Sequence, residues 1–395
     1  MMFLRGKLSF QFYFIISIII ILSIGGLITY GSGGKEFYNA LPVESILDVT
    51  LIAIIIFNIT NKFSTQEFFL SFILASYLLI TVLIFLYRNN EGYLLTDYIL
   101  IYKCIFYLFL LSIPMRSEIN NYEILEVFNV LVLLYFLKYS ISIFFFGIAR
   151  PGIFVENNYE LMLIILLYFA IMFHGVKVNP YIILIFYAVV LLSGSRSGIA
   201  SFILARLFIN NNKSSIIKTV SYVISFTILA AIAIFLFYSR MDNGGIKDID
   251  RVVFLFVFLN EWGSFNFIDY LIGKDIITPL SYGSCHQLSY YSTLFSGTSG
   301  TCFSVILHSF ILRTLYDHGI LGLLFVSIVI YFILRRCMFS KKFIFVTMGI
   351  ILFNSLSVSA LNSIFVIFSL LLIKLSSLGL LDPNAKRENK SYPYI

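Results

Sequence analysis

Residues 68–87 read FFLSFILASYLLITVLIFLY, a run without a single charged side chain. A helix needs about 20 predominantly apolar residues to cross roughly 30 Å of hydrocarbon, and this run is long enough. Comparable runs recur along the chain, so the sequence predicts an all-α, polytopic integral membrane protein with about 12 transmembrane helices. The candidate spans lie near 10–29, 45–60, 68–87, 98–113, 124–147, 160–174, 180–193, 197–209, 216–238, 310–334, 343–360 and 362–380.

The composition of the 395 residues supports the same class of protein. Hydrophobic residues make up 60% of the chain and charged residues 12%, against roughly 25% charged residues in an average soluble domain. The mean hydropathy is +0.96. A soluble globule of this size buries only about three quarters of its surface. The composition therefore excludes a soluble enzyme, a nucleic-acid-binding protein and a disordered protein.

Three of the candidate spans, 160–174, 180–193 and 197–209, are short, so they are half-helices or extend into their flanks. The first run follows Arg5 and Lys7, as in a signal peptide. Its apolar part is too long and no small-residue cleavage site follows cleanly, so we interpret it as a retained span.

The distribution of Lys and Arg predicts the orientation. If the N-terminus is cytoplasmic and the spans alternate, most of the 27 Lys and Arg residues fall on the cytoplasmic side, as the positive-inside rule requires. Both termini are then cytoplasmic and the longest loop is periplasmic. A loop of that length is usually functional. The predicted organisation is a bundle of about nine spans, a large periplasmic loop, a bundle of about three spans and a cytoplasmic tail, at 1–238, 239–307, 308–381 and 382–395.

Four arginines fall on the predicted outer face: Arg150, Arg196, Arg240 and Arg251. Arginine is the side chain best suited to bidentate phosphate binding, so four on one face would suit a diphosphate. The alternative is that each is a loop cation or a headgroup anchor. Arg196 stands in SGSRSG, where small residues before a helix would let backbone amides approach an anion. A plain turn is the alternative there.

His308 opens the segment HSFILRTLYDHGILGLL, residues 308–324. On a helix that began there, His308, Leu312 and Gly319 would share one face at the outer end of a span. A histidine in that place can accept a proton from a hydroxyl at neutral pH. An interfacial histidine without a chemical role is the alternative. We expect no metal and no cofactor.

Aromatic and cysteine residues gather in the large loop. Trp262, Tyr282, Tyr290 and Tyr291 would stack on sugars or form an interface belt. Cys285 and Cys302 are the two cysteines on the predicted oxidising side, so they are a candidate disulfide, with two free thiols as the alternative.

Two lysines stand inside apolar runs, where charges usually face a cavity or a partner. We expect Lys138 to have an internal polar role and Lys103 to snorkel to the interface.

Several segments together resemble the O-antigen polymerase and O-antigen ligase superfamily. HSFILRTLYDHGILGLL is similar to the family's H-[NS]-x-x-L-x-x-L-x-[DE]-x-G-x-x-G segment, and it directly follows the largest outer loop, as it does there. The stretch DIDRVVFLFVFLNEWGSFNFIDYLIGKDI resembles the start of the family's loop. SGSRSG resembles its Ser-Arg-rich turn, and RPGIFVENNYEL resembles another outer loop. Ser309 stands where Asn is commoner, and Glu156 where a Pro or small residue often precedes the Asn.

The resemblance implies a metal-independent membrane glycosyltransferase, an O-antigen polymerase of lipopolysaccharide biosynthesis in the bacterial inner membrane. Its substrate would be a polyprenyl-diphosphate-linked oligosaccharide, undecaprenyl diphosphate being such a carrier. Its partners would be membrane lipid and a chain-length regulator protein, with no nucleic acid. His308, Arg251 and Arg196 would be catalytic, and the four arginines would bind the diphosphate. The alternatives are an O-antigen ligase with a lipid A–core acceptor and, in another class, a lipid-linked oligosaccharide flippase.

Overall fold

The computed structural model describes residues 10–31, 43–60, 65–88, 94–116, 119–147, 157–209, 250–295 and 301–378, together with Thr227. These residues form α-helices, short 3₁₀ turns and two isolated bridges, and they contain no β-strand. The α-helices are α1 (Phe10–Gly31), α2 (Val43–Asn58), α3 (Thr65–Arg88), α4 (Leu95–Ser112), α5 (Asn121–Phe146), α6 (Asn157–Phe173), α7 (Pro180–Leu192), α8 (Arg196–Ile209), α9 (Asp250–Trp262), α10 (Phe267–Ile272), α11 (Tyr282–Gln287), α12 (Phe310–Arg336), α13 (Lys341–Ser355) and α14 (Ile364–Leu375).

Polar residues set the ends of several helices. Asn120 and Glu123 form a capping box at the start of α5, which satisfies backbone donors that have no partner inside the helix. Gly147 ends α5 in the left-handed conformation, which glycine adopts without strain. Asn179 caps α7 directly before Pro180, the first-turn position that proline favours.

Four helices of the described residues are long and apolar enough to cross a membrane: α3, α4, α5 and α12. Shorter apolar helices lie at Phe10–Gly25, Asn158–Phe173, Pro180–Leu192 and Ile364–Leu375. The all-α class is therefore confirmed. Apart from Thr227, the predicted span 216–238 lies outside the described residues, as do the first part of the large loop and the tail 382–395.

Two helices form the centre of the bundle. Residues 161–171 of α6 are at most 2% exposed, and nearly every side chain of α14 is buried. The two helices pack against each other, and α6 also packs against α8. A helix that is apolar on all sides is stable only when it is covered all round.

The outer surface of α3 is apolar, unlike the surface of a soluble bundle. Phe68, Phe72, Leu79 and Leu83 are exposed on this helix. Monomeric soluble proteins rarely expose a continuous apolar patch of this kind. In a bilayer the same side chains would contact lipid.

Helix α12 is broken at Gly319, where φ is +64°. Gly273 also has a positive φ, and the two glycines lie back to back: a Cβ on Gly319 would overlap the backbone of Leu271 and Gly273. The Lys274 amide donates to the Tyr316 carbonyl over 2.8 Å at the same place. At this break, therefore, α12 packs directly against the backbone at the end of α10, residues 271–274.

Candidate functional site

The described part of the large loop, residues 250–295 and 301–307, folds as a compact unit that we name the loop segment. Its apolar core includes Phe254, Phe258, Phe265 and Leu288, and Tyr316 of α12 completes it. The first part of α12 is therefore packed into the loop segment as well as into the bundle.

A disulfide joins Cys285 to Cys302 in this structure, with the two Cα atoms 5.6 Å apart. The Leu280 amide also donates to the Cys302 carbonyl over 2.9 Å. The bridge links α11 to the stretch that leads to His308. It therefore closes the aromatic part of the loop, residues 285–302, against the chain that carries the histidine.

Two acidic residues of the loop segment have structural partners. Glu261 is buried, and its Oε1 accepts hydrogen bonds from the Ser281 amide and from the hydroxyls of Ser281 and Ser284. Lys274 donates to Asp269 over 2.5 Å, and this bond holds the pKa of the Asp269 carboxyl below its usual range. Both carboxylates therefore tie neighbouring turns together.

His308 lies between two helical segments rather than on a helix. Its φ is +53°, after a 3₁₀ turn over Ser304–Leu307 and before α12, which begins at Phe310 with Ser309 as its cap. The predicted helical face running from His308 to Gly319 is wrong for this reason, and the break at Gly319 interrupts it as well. A left-handed conformation is uncommon and costly for a residue with a Cβ. Among the described residues only Ile277 and Met338 share it outside glycine.

Contacts on both sides hold His308 in this conformation. On one side Ser304 Oγ donates to Asp317 Oδ2 over 2.6 Å. On the other side Ser309 Oγ donates to the Ser355 carbonyl over 3.0 Å, and the Phe310 amide donates to the Val358 carbonyl over 3.2 Å. Backbone strain that the surrounding structure holds in place is often found at functional sites, and the His308 side chain is half-exposed.

The imidazole of His308 lies beside the Phe254 ring of α9, with 5.4 Å between the ring centroids. Arg251 is exposed one turn earlier on the same face of α9, because residues three apart on a helix are neighbours. The Tyr291 ring also contacts the Phe254 ring, with 5.1 Å between the centroids, and the Tyr290 ring contacts the Tyr291 ring at 5.2 Å. The structure thus brings His308 and Tyr291 to one phenylalanine, with Tyr290 against Tyr291 and Arg251 one helical turn before Phe254. We name His308, Arg251, Tyr290 and Tyr291 the His308 cluster.

Other predicted residues lie apart from the His308 cluster. Trp262 packs among Phe258, Phe265 and Tyr270 in the core of the loop segment, so much of its indole is used for packing. Tyr282 is 86% exposed on α11. Arg150 and Arg240 lie outside the described residues.

Arg196 begins α8 and is half-buried. The Ser195 hydroxyl accepts from the Gly198 amide in the first turn. A Cβ on Gly198 would overlap the Leu161 side chain, so α8 and the start of α6 are in close contact here. The small residues of SGSRSG therefore serve helix packing as well as the turn.

Arg196 and His308 lie at the same end of the bundle. Tyr159, two residues before Leu161 on α6, accepts from the Ser359 amide through its hydroxyl over 3.4 Å. Ser359 belongs to the stretch 355–359 that also holds Ser309 and Phe310.

The sequence did not lead us to a buried polar network in the first part of α12, the helix that follows His308. Arg313 is 6% exposed; its Nη1 donates to Ser359 Oγ over 2.9 Å and its Nη2 donates to the Leu100 carbonyl over 2.7 Å. Asp317 follows one turn later, so Arg313 and Asp317 share a face of α12. Both line a small cavity with His318. The spacing of Arg313 and Asp317 in the quoted segment was the signal that could have found this pair.

His318 closes the network from the side of α3 and α4. Its Nδ1 lies 3.1 Å from the Tyr77 hydroxyl, and its ring meets Tyr102 at 5.2 Å. The network therefore ties the first part of α12 to two of the long apolar helices.

The two lysines within apolar runs have partners inside the bundle. Lys103 forms a 2.8 Å ion pair with Glu44 of α2, so the expected snorkelling is corrected to an interhelical pair. Lys138 is 1% exposed and interacts electrostatically with the buried Glu160 of α6. A buried charge is tolerated where an opposite charge compensates it.

Within the part of the chain that the structure describes, no three His, Cys, Asp or Glu side chains come together as metal ligands. No family model matches this chain, and no curated protein is similar to it at a significant level.

Proposed function

We propose that this protein is a membrane glycosyltransferase that polymerises polyprenyl-diphosphate-linked oligosaccharide repeat units on the outer face of the bacterial inner membrane. The observation that carries the proposal is the His308 cluster. The half-exposed imidazole, on a strained backbone, and the Tyr291 ring both contact Phe254, Tyr290 contacts Tyr291, and the exposed Arg251 precedes Phe254 by one helical turn. The cluster adjoins a bundle of apolar helices, where a lipid-linked substrate would be anchored.

These groups fit the chemistry of glycosyl transfer from a lipid diphosphate. His308 would accept the proton of the acceptor hydroxyl while its oxygen bonds to the anomeric carbon of the donor sugar. The bond from that carbon to the diphosphate breaks, and its electron pair leaves with the diphosphate. Arg251 and Arg196 would stabilise the charge on the leaving group. Tyr290, which is 89% exposed, would stack on a sugar.

The proposed topology has about twelve spans, both termini in the cytoplasm and residues 239–307 in the periplasm. Alkaline-phosphatase fusions test it. A fusion at Lys274 should be active and a fusion at Lys342 inactive. The reverse pattern would contradict the topology and every outer-face assignment.

One gel distinguishes among the three activities that the sequence leaves open. The gene for this protein is deleted from its source strain, and the lipopolysaccharide is resolved by length on the gel. A polymerase deletion leaves lipopolysaccharide capped with a single repeat unit. Loss of every attached unit would indicate a ligase, and repeat units held inside the cell would indicate a flippase. Return of the long chains on expression of the wild-type protein is the control.

A further inference from the structure

A cleft of about 670 Å³ opens between α3, α4 and α12, at the far end of α12 from His308. Its walls are apolar, with Leu70 and Ile73 on α3 and with Phe325, Val329 and Phe332 on α12. The volume lies within the range of about 300–1,000 Å³ that is typical of sites for small molecules.

The cleft opens onto the apolar outer surface of the bundle. Phe69, Ile328 and Phe332 line it and are themselves exposed. A ligand that enters between them would leave part of its apolar surface outside the protein. Such a ligand suits a bilayer, where lipid covers what the cleft leaves exposed, better than it suits water.

Two cations stand at the polar end of the cleft. Arg336 is exposed, and its Nη2 donates to Gln66 Oε1 over 2.5 Å. Lys374 Nζ donates to the carbonyls of Leu111 and Ile113 over 2.6 and 2.7 Å. An ammonium has three donors, so these two carbonyls use two of them.

Glu67 is the one acidic residue that lines the cleft, and it interacts electrostatically with Lys374. Two cations thus face one carboxylate, and the end of the cleft keeps a net positive charge. An anionic group above apolar walls would complement both parts.

We infer that this cleft binds one anionic phospholipid of the cytoplasmic leaflet, with its phosphate at Arg336 and Lys374 and its acyl chains against α3 and α12. The positive-inside orientation puts this end of α12 on the cytoplasmic side, and basic pockets between helices there bind anionic headgroups. The inference rests on the proposed membrane placement and not on the transferase activity.

Lipid binding to the purified full-length chain tests the inference. Phosphatidylglycerol and phosphatidylcholine with the same acyl chains are added separately to the protein in neutral detergent. Native mass spectrometry counts the bound lipids, and the same spectra report the oligomeric state. We expect one phosphatidylglycerol to be retained at least tenfold more tightly than phosphatidylcholine.

Arg336→Ala should weaken phosphatidylglycerol binding about fivefold, the effect of one cation near a lipid headgroup. Arg335→Ala is the matched control, because Arg335 is the adjacent cation, bonds the Phe339 carbonyl and does not line the cleft. Ile73→Trp, which fills the apolar part, should also displace the lipid.

Equal retention of the two lipids, or equal losses from Arg335→Ala and Arg336→Ala, would overturn the inference. Displacement of the lipid by inorganic phosphate alone would show a phosphate site without a role for the acyl chains, and so would unchanged binding by Ile73→Trp. A dimer that excludes lipid would assign the cleft to a second copy of the chain. None of these measurements uses a glycan substrate, so a negative result here would leave the proposed transferase activity, which the deletion gel tests, unaffected.

Discussion

Replacing His308 by glycine and by alanine separates its conformation from its chemistry. Both substitutions remove the imidazole and its contact with Phe254. They differ at the backbone, where φ is +53°. Alanine keeps the Cβ that makes this conformation cost about 1–2 kcal/mol, and glycine does not. The greater entropy of the unfolded chain lowers the stability of the glycine variant by about 0.4–1 kcal/mol. The strain relief is the larger effect, so the glycine variant should remain the more stable of the two by about 1 kcal/mol.

The two variants should differ in stability, but both should lack activity. Loss of a general base typically lowers a rate about 10²–10⁴-fold, so neither variant should make long chains. The assay is the chain-length distribution in a deletion strain, read beside an immunoblot for protein level. Thermal unfolding of the purified variants in detergent gives their stability, and a difference of about 1 kcal/mol corresponds to roughly 1–2 °C in a chain of this length.

His286→Ala is the control for both measurements, because His286 is an exposed histidine of the same loop segment. It should keep normal chains and normal stability. Near-normal long chains from either His308 variant would refute the catalytic role. An alanine variant as stable as the glycine variant would refute the argument from backbone strain.

Three further predictions concern Arg196 and Arg251, the disulfide and Asp269. Arg251→Lys, and likewise Arg196→Lys, should lose nearly as much polymer as alanine, because lysine keeps the charge but not the bidentate geometry; full polymer from the alanine variants at matched protein level would reject the role. Cys285 and Cys302 should not react with a thiol reagent in denatured, non-reduced protein, and opening this bridge should cost on the order of 3 kcal/mol; two reactive thiols would contradict the pairing. The pKa of Asp269 is lowered in the folded protein, so the ionised carboxylate stabilises the loop at any pH above the usual carboxyl pKa of 3.8. This stabilisation is lost as the pH falls through the folded-state pKa. The fluorescence of the single tryptophan should therefore change as the loop loosens in acid. In the Asp269→Asn variant the loop should be less stable at pH 7, and its stability should depend less on pH. An unchanged acid transition in the variant would contradict this.

Long apolar runs could be predicted from the sequence because each one carries its own signal. The run 68–87 lies inside α3, and the run 98–113 corresponds to α4 within a few residues. The start of α12 also had a local signal, because Ser309 before an apolar run is a typical helix cap. The prediction passed over this signal and placed His308 on the helix.

The rest depended on contacts between distant parts of the chain. A glycine within a helical pattern is compatible with packing or with a break, and Gly319 breaks α12 because it lies against Gly273. Lys103 needed a partner, but nothing in its neighbourhood pointed to Glu44 on another helix. The network of Arg313 and Asp317 was visible as a spacing, whereas its bonds to Ser304 and Ser359 required the fold.

The turn that carries His308 and the stretch that carries Tyr290 and Tyr291 are held by different parts of the chain. The turn is bonded to Asp317 on α12 and, through Ser309, to Ser355 at the end of α13. The backbone on either side of His308 is therefore attached to helices of the bundle. Tyr290 and Tyr291 belong instead to a stretch closed by the disulfide, within the loop segment. Because different parts of the chain hold the His308 backbone and the two tyrosines, we expect that the tyrosine stretch can change its sequence without moving His308.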